Sequence, residues 1–240
     1  MSGTRSTSRT VPATERPLLL VAAHGERGGA GDNARLTAIA SQASELLPDW
    51  DVRHGVLSGE PAIEDVLAGT AGRAVHVWPF FMCRGYFTDV VLRRLEDRGK
   101  TPVMLDALGE TPAFAELTRQ MIAEAAASAS PAVLVIAHGS TKGTQSRKAA
   151  ERFAGWLKET GAFAEVSCAF LEEPPFAADA IAAMPQGSAI VSLFAGDGLH
   201  GGHDLDEILA ASGRSDLGVV TPASDTAAVA RIAADAARRR

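Results

Sequence analysis

One internal duplication limits what this chain can fold into. The run Leu18-Leu19-Leu20-Val21-Ala22-Ala23 ends in His24-Gly25, and Val133-Leu134-Val135-Ile136-Ala137 ends in His138-Gly139, with 114 residues between the two histidines. The same offset separates Leu57 from Leu171 and Pro61 from Pro175, and Gly85 precedes Gly198 by 113. A phase kept over that much sequence implies two homologous halves, each of about 110 to 120 residues, close to the common domain size. The expected division is a disordered Ser/Thr/Arg-rich leader over 1–16, an N-terminal lobe over 17–128 and a C-terminal lobe over 131–240. The small-residue stretch Ala125 to Pro131 marks the boundary between the lobes.

Within each half, short apolar runs alternate with amphipathic segments, the rhythm of a parallel sheet covered by helices. The first half reads as strands near 18–23, 52–57, 74–81 and 102–105 and helices near 32–47, 61–69, 87–97 and 111–128. The second reads as strands near 132–137, 165–170, 188–194 and 217–220 and helices near 144–160, 175–183, 203–212 and 223–238. Asp32-Asn33 suits a helix start before Leu36, Ile39, Ala43 and Leu46, and Gly161 suits a helix stop. The fold class expected is α/β, with two tandem lobes.

The bulk numbers exclude several classes. A net charge of −6 argues against a general nucleic-acid binder, which needs concentrated Lys and Arg. No run reaches the roughly 18 to 20 apolar residues that span a bilayer, and the leader lacks a secretory apolar region. Cys83 and Cys168 show no disulfide or thiolate-zinc spacing, which fits a reducing, cytoplasmic setting.

In parallel sheets of this kind ligands bind beyond the carboxyl ends of the strands. In the second half those ends carry His138-Gly139-Ser140, then Leu171-Glu172-Glu173-Pro174-Pro175, then Ala195-Gly196-Asp197-Gly198-Leu199-His200, followed by His203 and Asp204. Two imidazoles and a carboxylate suit a divalent first-row metal, and the same groups accept protons near neutral pH. A lone His-Gly after a strand is weak evidence; His138, Glu172 and His200 at three successive strand ends are much stronger. His203 reads equally as a ligand, a supporting partner or a solvated first-turn residue, and Asp204 as an orienting or capping group.

The first half keeps His24 but places Ser58 opposite Glu172 and Phe87 opposite His200. One imidazole, a hydroxyl and a phenyl ring make no metal site. The expected role of this half is the opposite wall of a cleft, with Tyr86 and Phe87 as aromatic surface and Arg84 as a charge. Trp78, Phe80, Phe81 and Met82 read as core packing. Two motifs are set aside. Arg53-His54-Gly55 matches the opening of histidine phosphatases but sits inside a strand with no partner constellation. Gly25 to Gly31 is glycine-rich without the ending of a phosphate loop or the spacing of a dinucleotide fingerprint.

Strand-His-Gly-Ser, then Phe-Leu-Glu with a following proline, then Leu-Phe-Ala-x-x-Gly-x-His-x-x-x-Asp-Leu resembles the class II tetrapyrrole chelatases, the sirohydrochlorin cobaltochelatase and ferrochelatase (CbiX/SirB-like) family. The resemblance spans residues 17 to 240. It implies two flavodoxin-like lobes and insertion of cobalt or iron, with nickel open to the same ligands, into a sirohydrochlorin-type ring in cobalamin or siroheme biosynthesis. No nucleotide is consumed in that reaction. The family's metal-binding set carries over to His138, Glu172 and His200, with His24 as the first-half counterpart, while Pro79 to Phe87 lacks the histidine of the family motif.

A carboxylate-rich macrocycle calls for basic rim groups, for which Arg27, Arg84, Lys142, Arg147 and Lys148 are candidates. Ser140, Lys142, Arg84, Tyr86, Phe87 and His24 are the expected substrate-lining residues. The duplication can replace the homodimer a single-lobe chain requires, so a monomer with an internal pseudo-dimer is expected. The alternative function is a non-catalytic metal or tetrapyrrole carrier on the same scaffold.

Overall fold

A computed structural model describes residues 15–25, 33–196 and 202–239 of the chain. The expected leader through residue 14, Arg27, Asp32 and His200 lie outside the described residues, as does the side chain of His203.

The first half contains strands β1 (Leu18–Ala23), β2 (Asp51–Val56), β3 (Val75–Pro79) and β4 (Val103–Met104). Its helices are α1 (Ala34–Leu46), α2 (Ile63–Val66), α3 (Tyr86–Glu96) and α4 (Pro112–Ala125). The second half repeats the series with β5 (Ala132–Ala137), α5 (Gln145–Glu159), β6 (Glu165–Phe170), α6 (Ala177–Ala183), β7 (Ala189–Ser192), α7 (Gly202–Ser212), β8 (Gly218–Val220) and α8 (Thr226–Arg238). Each half forms a four-stranded parallel sheet, in the orders β2-β1-β3-β4 and β6-β5-β7-β8. Corresponding short bridges, Val56 to Ala62 and Phe170 to Phe176, repeat at the same offset.

The central strands are continuously apolar because both faces are covered. Leu18, Leu20 and Ala22 face an outer core with Ile63, Val77, Val91 and Leu95, while Leu19, Val21 and Ala23 face inward. Leu134 and Ile136 likewise face an outer core, and Val133, Val135 and Ala137 face inward. The two inward faces belong to one shared core. Between them α1 packs on α8 and α4 on α5. Because α1 corresponds to α5 and α4 to α8, these contacts are two copies of one interface, as a two-fold homodimer would make them. Phe114 and Phe153 meet across it with ring centroids 5.6 Å apart. Trp78, Phe80 and Phe81 are buried, in keeping with the packing role read from their sequence.

Two local expectations need correction. Asn33 precedes α1 in a left-handed conformation (φ 33°) but does not cap it; its side-chain amide instead donates to Glu60 O at 2.7 Å. Helix α2 covers only Ile63–Val66, because the chain stays extended through Ala62 to bridge Val56. Gly161 does end α5, with φ 67° and its N–H on Lys158 O.

Candidate metal centre

Strands β5 and β6 are direct neighbours, so the residues just past their carboxyl ends must meet. The meeting is fixed by backbone. Leu171 N–H donates to Ala137 O at 3.2 Å and Glu172 N–H to His138 O at 3.0 Å. The first half makes the same bonds, Leu57 N–H to Ala23 O at 3.1 Å and Ser58 N–H to His24 O at 2.9 Å. Both halves therefore hold one scaffold and differ in the side chains it presents.

In the second half that scaffold places His138 Nδ1 3.6 Å from Glu172 Oε2, with the two side chains 41% and 50% exposed. The separation is too long for a hydrogen bond. It is close to the span of about 3.4 Å between two donors that each lie about 2.1 Å from one tetrahedral ion. Both groups are open to solvent, so an ion can reach them without unfolding the turn. Of the three residues predicted to bind metal, the structure brings His138 and Glu172 together; His200 is outside the described residues.

A neighbouring set of residues, to which the sequence reading gave no structural part, holds this turn in place. Glu173 accepts the Ser140 N–H at 3.0 Å and two bonds from Arg147, at 3.0 and 2.7 Å. Arg147 also donates to Pro174 O and lies over the Phe170 ring, 4.4 Å from its centroid. The Ser146 hydroxyl accepts the Gly139 N–H at 3.1 Å. Gly139 has φ 74°, and a Cβ there would come within 2.8 Å of both Glu173 Cγ and Phe170 Cβ. Glycine is thus required at this position by backbone and by space. The Arg147 hydrogen bonds hold the Glu173 carboxyl below the usual carboxylate range. Arg147, a candidate rim cation, is committed to this clamp, whereas Lys142 and Lys148 are exposed. The Asn33 bond to Glu60 O is the first-half echo of Arg147 to Pro174 O. Asn33 and Arg147, and Glu60 and Pro174, stand at the same 114-residue offset.

The first half has been rebuilt around rings. His24 packs edge-on against Phe87, with centroids 4.6 Å apart and an interplanar angle of 82°. Phe87 lies parallel to buried Phe81 at 6.3 Å and meets Tyr86 at 5.5 Å. Tyr86 is 73% exposed and Phe87 44%. Arg84 bonds Asp106 Oδ1 at 2.6 Å and approaches Glu110 to 3.6 Å. Arg53 is bound to Asp51 and to the carbonyls of Val66 and Ala68, a structural set consistent with setting aside the phosphatase-like tripeptide. Cys168 lies beneath α5, where burial pushes its thiol up to about 12. Among the described residues no helix is long and apolar enough to cross a membrane.

Comparison with known proteins agrees with this layout. The chain resembles a probable sirohydrochlorin cobaltochelatase of Halobacterium salinarum, 24% identical over 219 residues that cover 79% of this chain and 75% of that protein. Its fold matches a solved CbiX, described as the terminal enzyme for biosynthesis of siroheme in denitrifying bacteria, with a TM-score of 0.79 and 29% identity over 93% of this chain and 99% of that one. It also matches SirB from Bacillus subtilis with Fe3+, with a TM-score of 0.72 and 14% identity over 93% and 95% of the two chains, a likeness of fold. The CbiX family model covers residues 18–125 and again 132–237, once for each half of the duplication, and the chain belongs to the CbiX family.

Proposed function

We propose that this protein inserts a divalent metal, cobalt or iron, into a sirohydrochlorin-type tetrapyrrole without nucleotide hydrolysis, in cobalamin or siroheme biosynthesis. It acts in the cytoplasm as a monomer whose two lobes, 17–128 and 131–240, form an internal pseudo-dimer. The observation that carries this reading is the open His138–Glu172 pair, 3.6 Å apart at neighbouring strand ends. His200 completes the set. Its repeat counterpart Phe87 packs 4.6 Å from His24, the counterpart of His138, in the first half.

The chemistry follows from proton balance. A free-base macrocycle gives up two pyrrole N–H protons as the metal enters, while the ion exchanges its previous ligands for four ring nitrogens. His138, His200 and Glu172 hold the ion loosely and receive the protons. Ser140 and Lys142, beside the turn, and Arg84 and His24, across the cleft, line the substrate. Distorting the ring part-way toward its metallated shape lowers the barrier further.

The test is an absorbance time course with sirohydrochlorin and Co2+ or Fe2+ at protein concentrations far below those of both substrates, without ATP. Spectral conversion of many equivalents supports the proposal, and the faster metal names the reaction. A shift that stops at one equivalent contradicts it and identifies a carrier.

A further inference from the structure

The first half has lost the side chains of a metal site, yet it exposes a large aromatic surface where that site would be. Tyr86 is 73% exposed at the start of α3, beside Phe87 at 44%. Its backing is rigid. Phe81 is buried, Phe87 lies parallel to it within 10°, His24 abuts the Phe87 edge, and Tyr86 stands at 70° to Phe87. The Thr88 hydroxyl accepts the Gly85 N–H at 2.9 Å and donates to Gly85 O at 2.7 Å, closing the turn that presents Tyr86.

Contacts between the halves tie this turn to α5 of the second half. Arg84, two residues before Tyr86, approaches Glu110, and Glu110 lies 3.7 Å from Arg152 on α5, the helix that follows His138-Gly139-Ser140. Arg35, on α1 after the first-half His-Gly turn, donates to Ala195 O beyond β7 at 3.4 Å. The carboxyl ends of both sheets are thus joined across the interface. The aromatic surface lies at the strand ends, where α/β sheets take small ligands.

We propose a division of labour in which the first half binds the macrocycle by stacking on Tyr86 and the second half handles the metal. This rests on the chelatase reading above and assigns to Tyr86 the role of the stacking face. The occupant is the flat face of a tetrapyrrole: the chelatase reading supplies the macrocycle, the exposed Tyr86 ring stands at 70° to Phe87 and offers one free face, and Arg84, held by Asp106 and Glu110 with its side chain 47% exposed, lies beside it. Phe87 and His24 act as a brace that fixes the Tyr86 ring before the ligand arrives, limiting the ordering cost of binding.

The experiment titrates metal-free sirohydrochlorin into the full-length protein and follows quenching of macrocycle fluorescence, with Co2+ affinity measured separately by calorimetry. Tyr86→Ala should weaken macrocycle binding by at least about fivefold, the lower range for aromatic stacking on a flat heterocycle. Tyr86→Phe should stay within about twofold of wild type, and both variants should keep wild-type Co2+ affinity and melting temperature. Wild-type macrocycle affinity in Tyr86→Ala, equal losses in the Phe and Ala variants, or no macrocycle binding by the wild-type protein overturns the proposal. The two readings fail separately. Tyr86-dependent binding without turnover sinks the chelatase and leaves the stacking face, whereas turnover with unaltered Tyr86→Ala binding does the reverse.

Discussion

His138 and Glu172 face each other across 3.6 Å from the ends of adjacent parallel strands, while their first-half counterparts, on the same backbone, are His24 and Ser58. The duplication has kept the scaffold and reassigned its side chains. The Glu172 side chain is half exposed and faces His138, while the bond that fixes the turn is made by its backbone N–H. Glu172→Gln should therefore lower metal-insertion turnover by about 10² or more, the scale of a lost acid–base or ligand group, with an unchanged melting temperature. Steady-state rates with Co2+ beside a thermal melt check both parts.

Gly139 and Gly161 both have positive φ, at 74° and 67°, but differ in surroundings. A Cβ at 139 collides with Glu173 and Phe170, while one at 161 meets nothing within 4 Å. Gly161→Ala should cost about 1 kcal/mol, the left-handed backbone alone, and Gly139→Ala about 3 kcal/mol or more. Urea unfolding of the two variants measures the difference.

The Glu173–Arg147 clamp sets an acid limit. Arg147 hydrogen bonds hold the Glu173 carboxyl below its ordinary 4.5, so the folded state binds that proton less readily than the unfolded chain. The stabilisation is fully present above the unfolded value and is lost as pH falls through the lower folded one. Arg147→Met should therefore lower the urea midpoint at pH 7 and narrow its gap to wild type below about pH 4. A gap that does not change with pH would show that Arg147 acts through packing on Phe170 alone.

Reinstalling the missing ligands tests the duplication itself. Ser58 and Phe87 occupy the positions of Glu172 and His200, with His24 already 4.6 Å from the Phe87 ring. The double variant Ser58→Glu/Phe87→His should bind one more equivalent of Co2+ than wild type by calorimetry. Unchanged stoichiometry would mean that the first-half scaffold no longer admits an ion.

Much of this architecture is legible in the sequence, because β1 and β5 are buried on both faces and read as uninterrupted apolar runs. Where the sequence reading strays, tertiary contacts override local pattern. β3 ends at Pro79 rather than near residue 81, and Asn33 turns from its helix to the Glu60 carbonyl. His138 and Glu172 were legible as strand-end polar residues in a repeated frame. The Arg147–Glu173 clamp was not, since 26 residues separate its members and no periodicity links them. Nor does a sequence show that Arg84 is already paired with Asp106.

The most direct measurement of the central claim is the metal-insertion rate of His200→Ala with sirohydrochlorin and excess Co2+, compared with wild type at equal folded fraction. The account predicts a loss of about 10² or more with the fold intact. A rate within a few-fold of wild type would contradict it, because the second-half strand ends would then not be where the metal is handled.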